Sequence, residues 1–188
     1  MRQVEAMERE PPVPDYVLGM VLCLAAEAMF FAGLISAFLV ARANAAVWPP
    51  PGQPRLPVAR TAANTALLLA SAATMWRALR ARRGSLSAGA VGRWLALTIG
   101  LGGAFLALQG YEWLRLIAFG LTTTSSLYGG FFYLIVGAHA AHVAAGLAWL
   151  LLVAGRFRSS EPRLGAAGLY WFFVAGLWPV LYALVYLA

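Results

Sequence analysis

Residues Leu18–Ala43 read LGMVLCLAAEAMFFAGLISAFLVARA, an almost unbroken apolar run with one acid inside it, Glu27, and one base near its end, Arg42. At about 1.5 Å of rise per residue, a helix over this run clears the ~30 Å hydrocarbon core of a bilayer. Runs of this type recur along the chain. Apolar segments extend from Tyr16 to Ala41, Thr61 to Trp76, Trp94 to Phe119, Leu127 to Ala154 and Leu164 to Ala188. The second is the most diluted, by Asn64, Thr65, Ser71 and Thr74. The pattern predicts an all-α, polytopic membrane protein, a bundle of five transmembrane helices forming one domain over residues 16–188. Residues 1–15, MRQVEAMEREPPVPD, have neither the basic start nor the apolar stretch of a secretory signal, and read as a polar cytoplasmic tail.

Composition supports the same class. The chain has 188 residues, 62% of them hydrophobic and 11% charged. Soluble domains average about 45–50% apolar and about 25% charged, so too little charge is present to cover a water-soluble surface. The short connections leave no separate catalytic domain. The net charge of +7 comes from 14 basic residues, all arginine, against 7 acidic ones. These arginines cluster just outside the apolar runs, as topology signals do, which speaks against nucleic-acid binding. On one side lie Arg2, Arg9, Arg77, Arg80, Arg82, Arg83, Arg93, Arg156, Arg158 and Arg163; on the other only Arg42, Arg55, Arg60 and Arg115. The basic excess belongs in the cytoplasm, which puts the N-terminus inside and the C-terminus outside.

Close helix packing is expected from two stripes of small residues, Gly33, Ala37 and Ala41 on the first helix and Gly137, Ala141 and Ala145 on the fourth. The single cysteine, Cys23, reads as a small buried hydrophobe.

Four ionisable residues fall deep inside these runs: Glu27, Glu112, His139 and His142. Each costs at least about 2.5–3.5 kcal/mol at the centre of a spanning helix, so each calls for a partner or a purpose. Helical rise puts Glu27 about 16 Å in, near the midplane, and His139 about 18 Å from the start of its segment, with His142 one turn deeper. Glu27 can therefore lie level with the histidines. Glu112 lies about 10 Å from the end of its run, on one face with Gln109 and Arg115. The bland readings are interhelical hydrogen bonding for the histidines and pairing of Glu112 with Arg115 or His139. The functional reading is proton handling by Glu27, Glu112, His139 and His142, with Gln109, Asn64 and Arg115 in support. A catalytic residue or metal site of the chain's own is not expected. Two histidines on one face of one helix cannot ligate a haem from both sides, and one cysteine cannot build a two-thiolate copper site.

The motifs, taken in order, resemble those of the cytochrome c oxidase subunit III family. The Leu18–Ala43 run matches its buried Glu followed by paired Phe, here Glu27, Phe30 and Phe31. Trp48-Pro49-Pro50 follows, then Asn64-Thr65 with LLLAS, FLALQGYE with Gln109 and Glu112, YGGFFYLIVGAHAAHVAAG with His139 and His142, and YWFFVAGLWPVLYALVYL. The resemblance covers about Val17 to Leu187. It implies a non-catalytic accessory subunit of a haem-copper terminal oxidase in aerobic respiratory electron transport. Such a subunit packs on subunit I, which with the other oxidase subunits carries haem and copper. It binds phospholipid between its helices, supports proton uptake and protects the enzyme from inactivation during turnover. It implies a bacterial inner (plasma) membrane location. Glu27 matches the family's carbodiimide-reactive glutamate.

Two departures stand out. Larger members have seven helices, and this chain resembles the last five. The family's final helix usually reads Trp-His-Phe-Val-Asp, where this chain has Trp171-Phe172-Phe173-Val174-Ala175. The apolar replacement leaves room for a subunit-III-like component of a nitric-oxide reductase. A small proton channel or transporter is the reading from another class. No internal repeat supports it, and Pro179 is the only proline within a spanning run.

Overall fold

The computed structural model describes residues 15–84, 87–155 and 161–187. The polar tail, apart from Asp15, and Arg156 and Arg158 lie outside the described residues. Five long helices follow one another: α1 (Asp15–Ala43), α2 (Val58–Arg83), α3 (Ala88–Ala118), α4 (Leu127–Gly155) and α5 (Glu161–Tyr182), which runs on as a π-helical turn over Ala183–Leu187. No strand occurs among the described residues.

The helices outrun the apolar segments that announce them. α2 continues through Arg77, Arg80, Arg82 and Arg83. Arginine is a good helix former, and its charge is favourable at a helix C-terminus. Arg77 lies over the Trp94 ring at 4.9 Å and Arg80 over Trp76 at 5.2 Å. At the end of α3, Gly120 takes a left-handed φ of 91°. Its N–H reaches the Ile117 carbonyl at 2.9 Å, and the next N–H, of Leu121, reaches back to Leu116 at 2.9 Å. A positive φ of this kind is cheap only for glycine.

Among the described residues, four helical runs are long and apolar enough to cross a membrane: Tyr16–Ala43, Ala88–Ala118, Leu127–Gly155 and Arg163–Leu187. The run read as the most diluted of the five, in α2, is not among them, and the packing shows why. Its polar residues Thr61, Asn64, Thr65 and Ser71 are all buried against other helices. Trp171 Nε1 on α5 donates to Ser71 Oγ at 3.1 Å, and Trp178 Nε1 donates to Thr65 Oγ1 at 2.8 Å. Thr74 and Thr98 join α2 to α3 through their hydroxyls at 2.8 Å. The polar stripe that lowers the hydropathy of α2 is its inner, bonded face. Where no hydrophobic drive joins helices, such bonds and close packing do.

α2 and α3 form the most extensive helix pair, and α5 touches α1, α2 and α4. Trp171 and Trp178 are fully buried at the centre with Phe105, Phe132, Leu68 and Met75. Helices approach closely at Gly102 and Gly146, where an added Cβ would stand 2.6 Å and 3.0 Å from the Trp171 ring, and at Gly168, where it would stand 2.8 Å from Leu79. This corrects the expectation drawn from the small-residue stripes. Gly33, Ala37, Ala141 and Ala145 are exposed, and nothing lies within 4 Å of a Cβ placed on Gly33. Within this chain, close approaches fall at Gly102 and Gly146, which admit Trp171, and at Gly168, which admits Leu79 and Met75, and not at Gly33. Cys23, expected inside, is also exposed, on the outer side of α1.

Candidate functional site: a half-buried acid and two histidines where α1 meets α4

α1 is the most peripheral helix. Phe31 and Phe38 are its two buried large side chains, seven residues apart and so on one face. Phe38 meets Trp48 of the α1–α2 connection and Phe131 of α4 edge-on. Trp48 in turn meets Tyr128 at 5.3 Å. This aromatic stack fixes the register of α1 against α4 and brings Glu27 level with His142, as helical depth predicts.

Glu27 Oε2 lies 2.8 Å from His142 Nε2. The other ring nitrogen, Nδ1, lies 2.7 Å from the Ala138 carbonyl one turn earlier. A carbonyl can only accept, so Nδ1 carries hydrogen. Nε2 then has two forms open to it. It accepts from a protonated Glu27, or as imidazolium it donates to the Glu27 carboxylate. Both forms share one proton and carry no net charge. The neutral pair offsets much of the penalty of placing ionisable groups this deep. The Tyr170 hydroxyl donates to the His142 carbonyl at 3.2 Å, holding α5 to the same turn. Phe30 stacks beside the His142 ring at 6.3 Å and Phe31 meets it edge-on at 5.2 Å. The pair is not sealed within the chain: the side chains are 28% (Glu27) and 20% (His142) exposed.

His139 has a different environment. It is 1% exposed, and neither ring nitrogen has a hydrogen-bond partner in the protein. Its ring stacks on Trp178 at 4.9 Å, with Phe105 and Phe31 edge-on. The bland expectation of two hydrogen-bonded histidines therefore holds for His142 only.

Glu112 stands apart, at the end of the bundle where α2 begins and α3 ends. It pairs with Arg60 at 3.3 Å, not with Arg115 or His139 as expected. Arg60 reaches across the α2–α3 seam, while Arg115 lies over the Phe119 ring at 6.0 Å. One turn below Glu112, Gln109 sits in a buried relay. Asn64 Nδ2 donates to the Phe105 carbonyl at 3.1 Å and to Gln109 Oε1 at 3.3 Å, and Gln109 Nε2 donates to the Tyr186 hydroxyl at 3.0 Å. Asn64 and Gln109 thus tie α2, α3 and the C-terminal turn together. The structure unites Glu27 with His142, and Asn64 with Gln109, but leaves Glu112 and Arg115 outside the first group. Arg60 and Tyr186 are the partners that sequence reasoning missed.

Among the described residues no three His, Cys, Asp or Glu side chains gather into a metal-binding group. A proton-sharing pair half-open on a helix face, in a bundle braced by tryptophans, suits a subunit that works against another polypeptide. The model of the family described as cytochrome c oxidase subunit III matches residues 13–188. The chain belongs to the cytochrome c oxidase subunit III family. A Synechocystis protein named cytochrome c oxidase subunit 3 is 38% identical over 184 residues, covering 93% of this chain and 76% of the relative. The Bacillus subtilis protein of the same name is 37% identical over 177 residues, covering 90% and 84%. That of Corynebacterium diphtheriae is 36% identical over 196 residues, covering 98% and 92%. The resemblance read from the motifs is thereby established. The chain is a membrane protein and a subunit III of a multi-subunit cytochrome c oxidase. Subunit III of this family lacks redox centres.

Proposed function

We propose that this chain braces the catalytic subunit of a haem-copper terminal oxidase in a bacterial inner membrane. Haem and copper reside in that partner, subunit I, and none in this chain. All five helices cross the bilayer, α2 included, because Asn64, Thr65, Ser71 and Thr74 on its polar face bond to α3 and α5. The N-terminus is inside and the C-terminus outside, following the arginine bias. Glu27, His142 and His139 handle protons near the uptake pathway of the catalytic subunit and prolong its life during turnover. Glu112, Gln109, Asn64 and Arg115 support the bundle, and phospholipid binds at its surface.

The observation that carries this reading is the half-open Glu27–His142 pair near mid-helix. A polar pair left against hydrocarbon is costly, and cover from a partner relieves that cost. The exposed stripes at Gly33, Ala37, Ala141 and Ala145 on the same two helices support docking there, since small residues let a second backbone approach closely. The oxidase names of the relatives favour an oxidase over a nitric-oxide reductase.

The test is functional. An oxidase carrying Glu27→Ala is expected to start at normal rate and lose activity over fewer turnovers than the Glu27→Gln or wild-type enzyme. An unaltered turnover lifetime in Glu27→Ala would remove the proton-handling role.

A further inference from the structure

Arg77, Arg80 and Arg83 of α2 are exposed at the end of the bundle where α2 closes and α3 opens. With Trp94 of α3 they line an open pocket of about 550 Å³. Topology accounts for arginines at this end, but not for the way two of them are held. The Arg77 guanidinium lies over the Trp94 ring at 4.9 Å, and that of Arg80 over Trp76 at 5.2 Å. A ring beneath a guanidinium steadies its plane and leaves the N–H groups at its edge to bind an anion. Among the described side chains no carboxylate pairs with Arg77, Arg80 or Arg83, since both ion pairs lie elsewhere, at Arg60–Glu112 and Glu27–His142. The pocket lining carries three positive charges and no negative one.

The same sequence carries the complementary charge. Of its 7 acidic residues, Glu5, Glu8, Glu10 and Asp15 fall within residues 1–15, while Glu27 and Glu112 are already paired inside the bundle. α1 begins at Asp15, and successive helices run in opposite directions, so this acidic stretch leads into the same end of the bundle as the pocket. α5 touches both α1 and α2, which puts the pocket about two helix spacings, roughly 16–20 Å, from Asp15. The seven residues from Asp15 back to Glu8 can span about 23 Å when extended, enough to reach it.

We propose that the chain's own acidic stretch docks on this pocket, with the carboxylates of Glu8 and Glu10 against Arg77, Arg80 and Arg83. Alternation along an extended chain puts Glu8 and Glu10 on one side and turns Arg9 to the other. The tether gives the stretch an effective concentration of about millimolar at the pocket, an advantage that an acidic segment of another subunit lacks. The docking needs one chain and the shared end of its helices, so it stands or falls separately from the bracing of a catalytic subunit.

The test is cross-linking in the assembled complex, reconstituted in phosphatidylcholine or phosphatidylglycerol bilayers. This chain carries Cys23→Ser, so that introduced cysteines are its only thiols. Met7→Cys is combined with Gly84→Cys at the pocket, or with Thr124→Cys at the opposite end as the control, and a short bis-maleimide is added. These positions leave every charge in place. Mass spectrometry of the digested complex is expected to find residue 7 joined to residue 84 and not to residue 124, in both lipids. The yield should fall about two- to fivefold for each charge removed, in Arg77→Gln, Arg83→Gln, Glu8→Gln and Glu10→Gln. The two glutamate variants lie outside the five helices, so their effect is not one of bundle folding. Equal yields at residues 84 and 124, yields unchanged by the charge variants, or residue 84 joined to another subunit instead would each overturn the proposal. Loss of the cross-link in phosphatidylglycerol alone would overturn it too, by giving the pocket to a lipid headgroup.

Discussion

The Glu27–His142 contact offers the sharpest energetic prediction. Replacing Glu27 by Ala leaves His142 Nε2 without its 2.8 Å partner on a side chain that is 20% exposed. An unsatisfied buried polar group costs about 1–3 kcal/mol, and partial exposure puts this one in the lower half of that range. Interhelical hydrogen bonds within membranes average about 0.6 kcal/mol and reach about 1.7. A double-mutant cycle of Glu27→Ala and His142→Ala should therefore show a coupling of about 0.5–1.7 kcal/mol. Glu27→Gln should retain most of the stability. Its amide can donate to the neutral ring, whose Nδ1 hydrogen is already committed to the Ala138 carbonyl. The assay is unfolding of the assembled complex in mixed micelles with increasing denaturing detergent. Additivity of the two alanine variants within about 0.3 kcal/mol would refute the pairing. So would a Glu27→Gln variant as damaged as Glu27→Ala, because the argument requires a neutral donor to suffice.

Other outcomes follow from the packing. Gly102→Ala puts a Cβ 2.6 Å from the Trp171 ring and should lower stability by about 1–3 kcal/mol, the usual range for overpacking; the detergent titration measures it. Gly33→Ala puts a Cβ where the chain has nothing within 4 Å, so helical content of the bundle should persist while recovery of the partner subunits in a pull-down falls. Trp178→Phe removes the donor to Thr65 Oγ1 and should cost about 1 kcal/mol, read in the same titration. Glu112→Gln should cost less than about 1 kcal/mol, because its Arg60 partner is 57% exposed and solvent weakens the pair.

Much of the architecture was legible before any coordinates, for physical reasons. Apolar runs long enough to cross a bilayer leave the backbone only one economical structure, the helix; four of the five runs are of that length, and the shorter Thr61–Trp76 run still marked α2. Helical rise allowed Glu27 to lie level with the two histidines, and the structure pairs it with His142. The inward face of α2 was harder to read, because a polar residue lowers hydropathy in the same way whether it faces water or bonds a tryptophan. Ser71 and Thr65 become intelligible only with Trp171 and Trp178, about a hundred residues away in sequence. Glu112 misled for a related reason. Arg115 shares its helix face, so local spacing favours it, while Arg60 approaches across a seam that no local pattern encodes. The small-residue stripes signalled close packing correctly in kind, but the chain itself makes close approaches at Gly102, Gly146 and Gly168. A stripe in one sequence does not say which polypeptide will use it.

The central claim is that this bundle serves a redox centre held in another polypeptide. An absorption spectrum and subunit stoichiometry of the gently solubilised complex, recovered through a tag on this chain, test it most directly. The account predicts haem absorption and a larger haem-bearing subunit in one-to-one ratio with this chain. A pure, colourless preparation of this chain that is stable and active by itself in liposomes would contradict it.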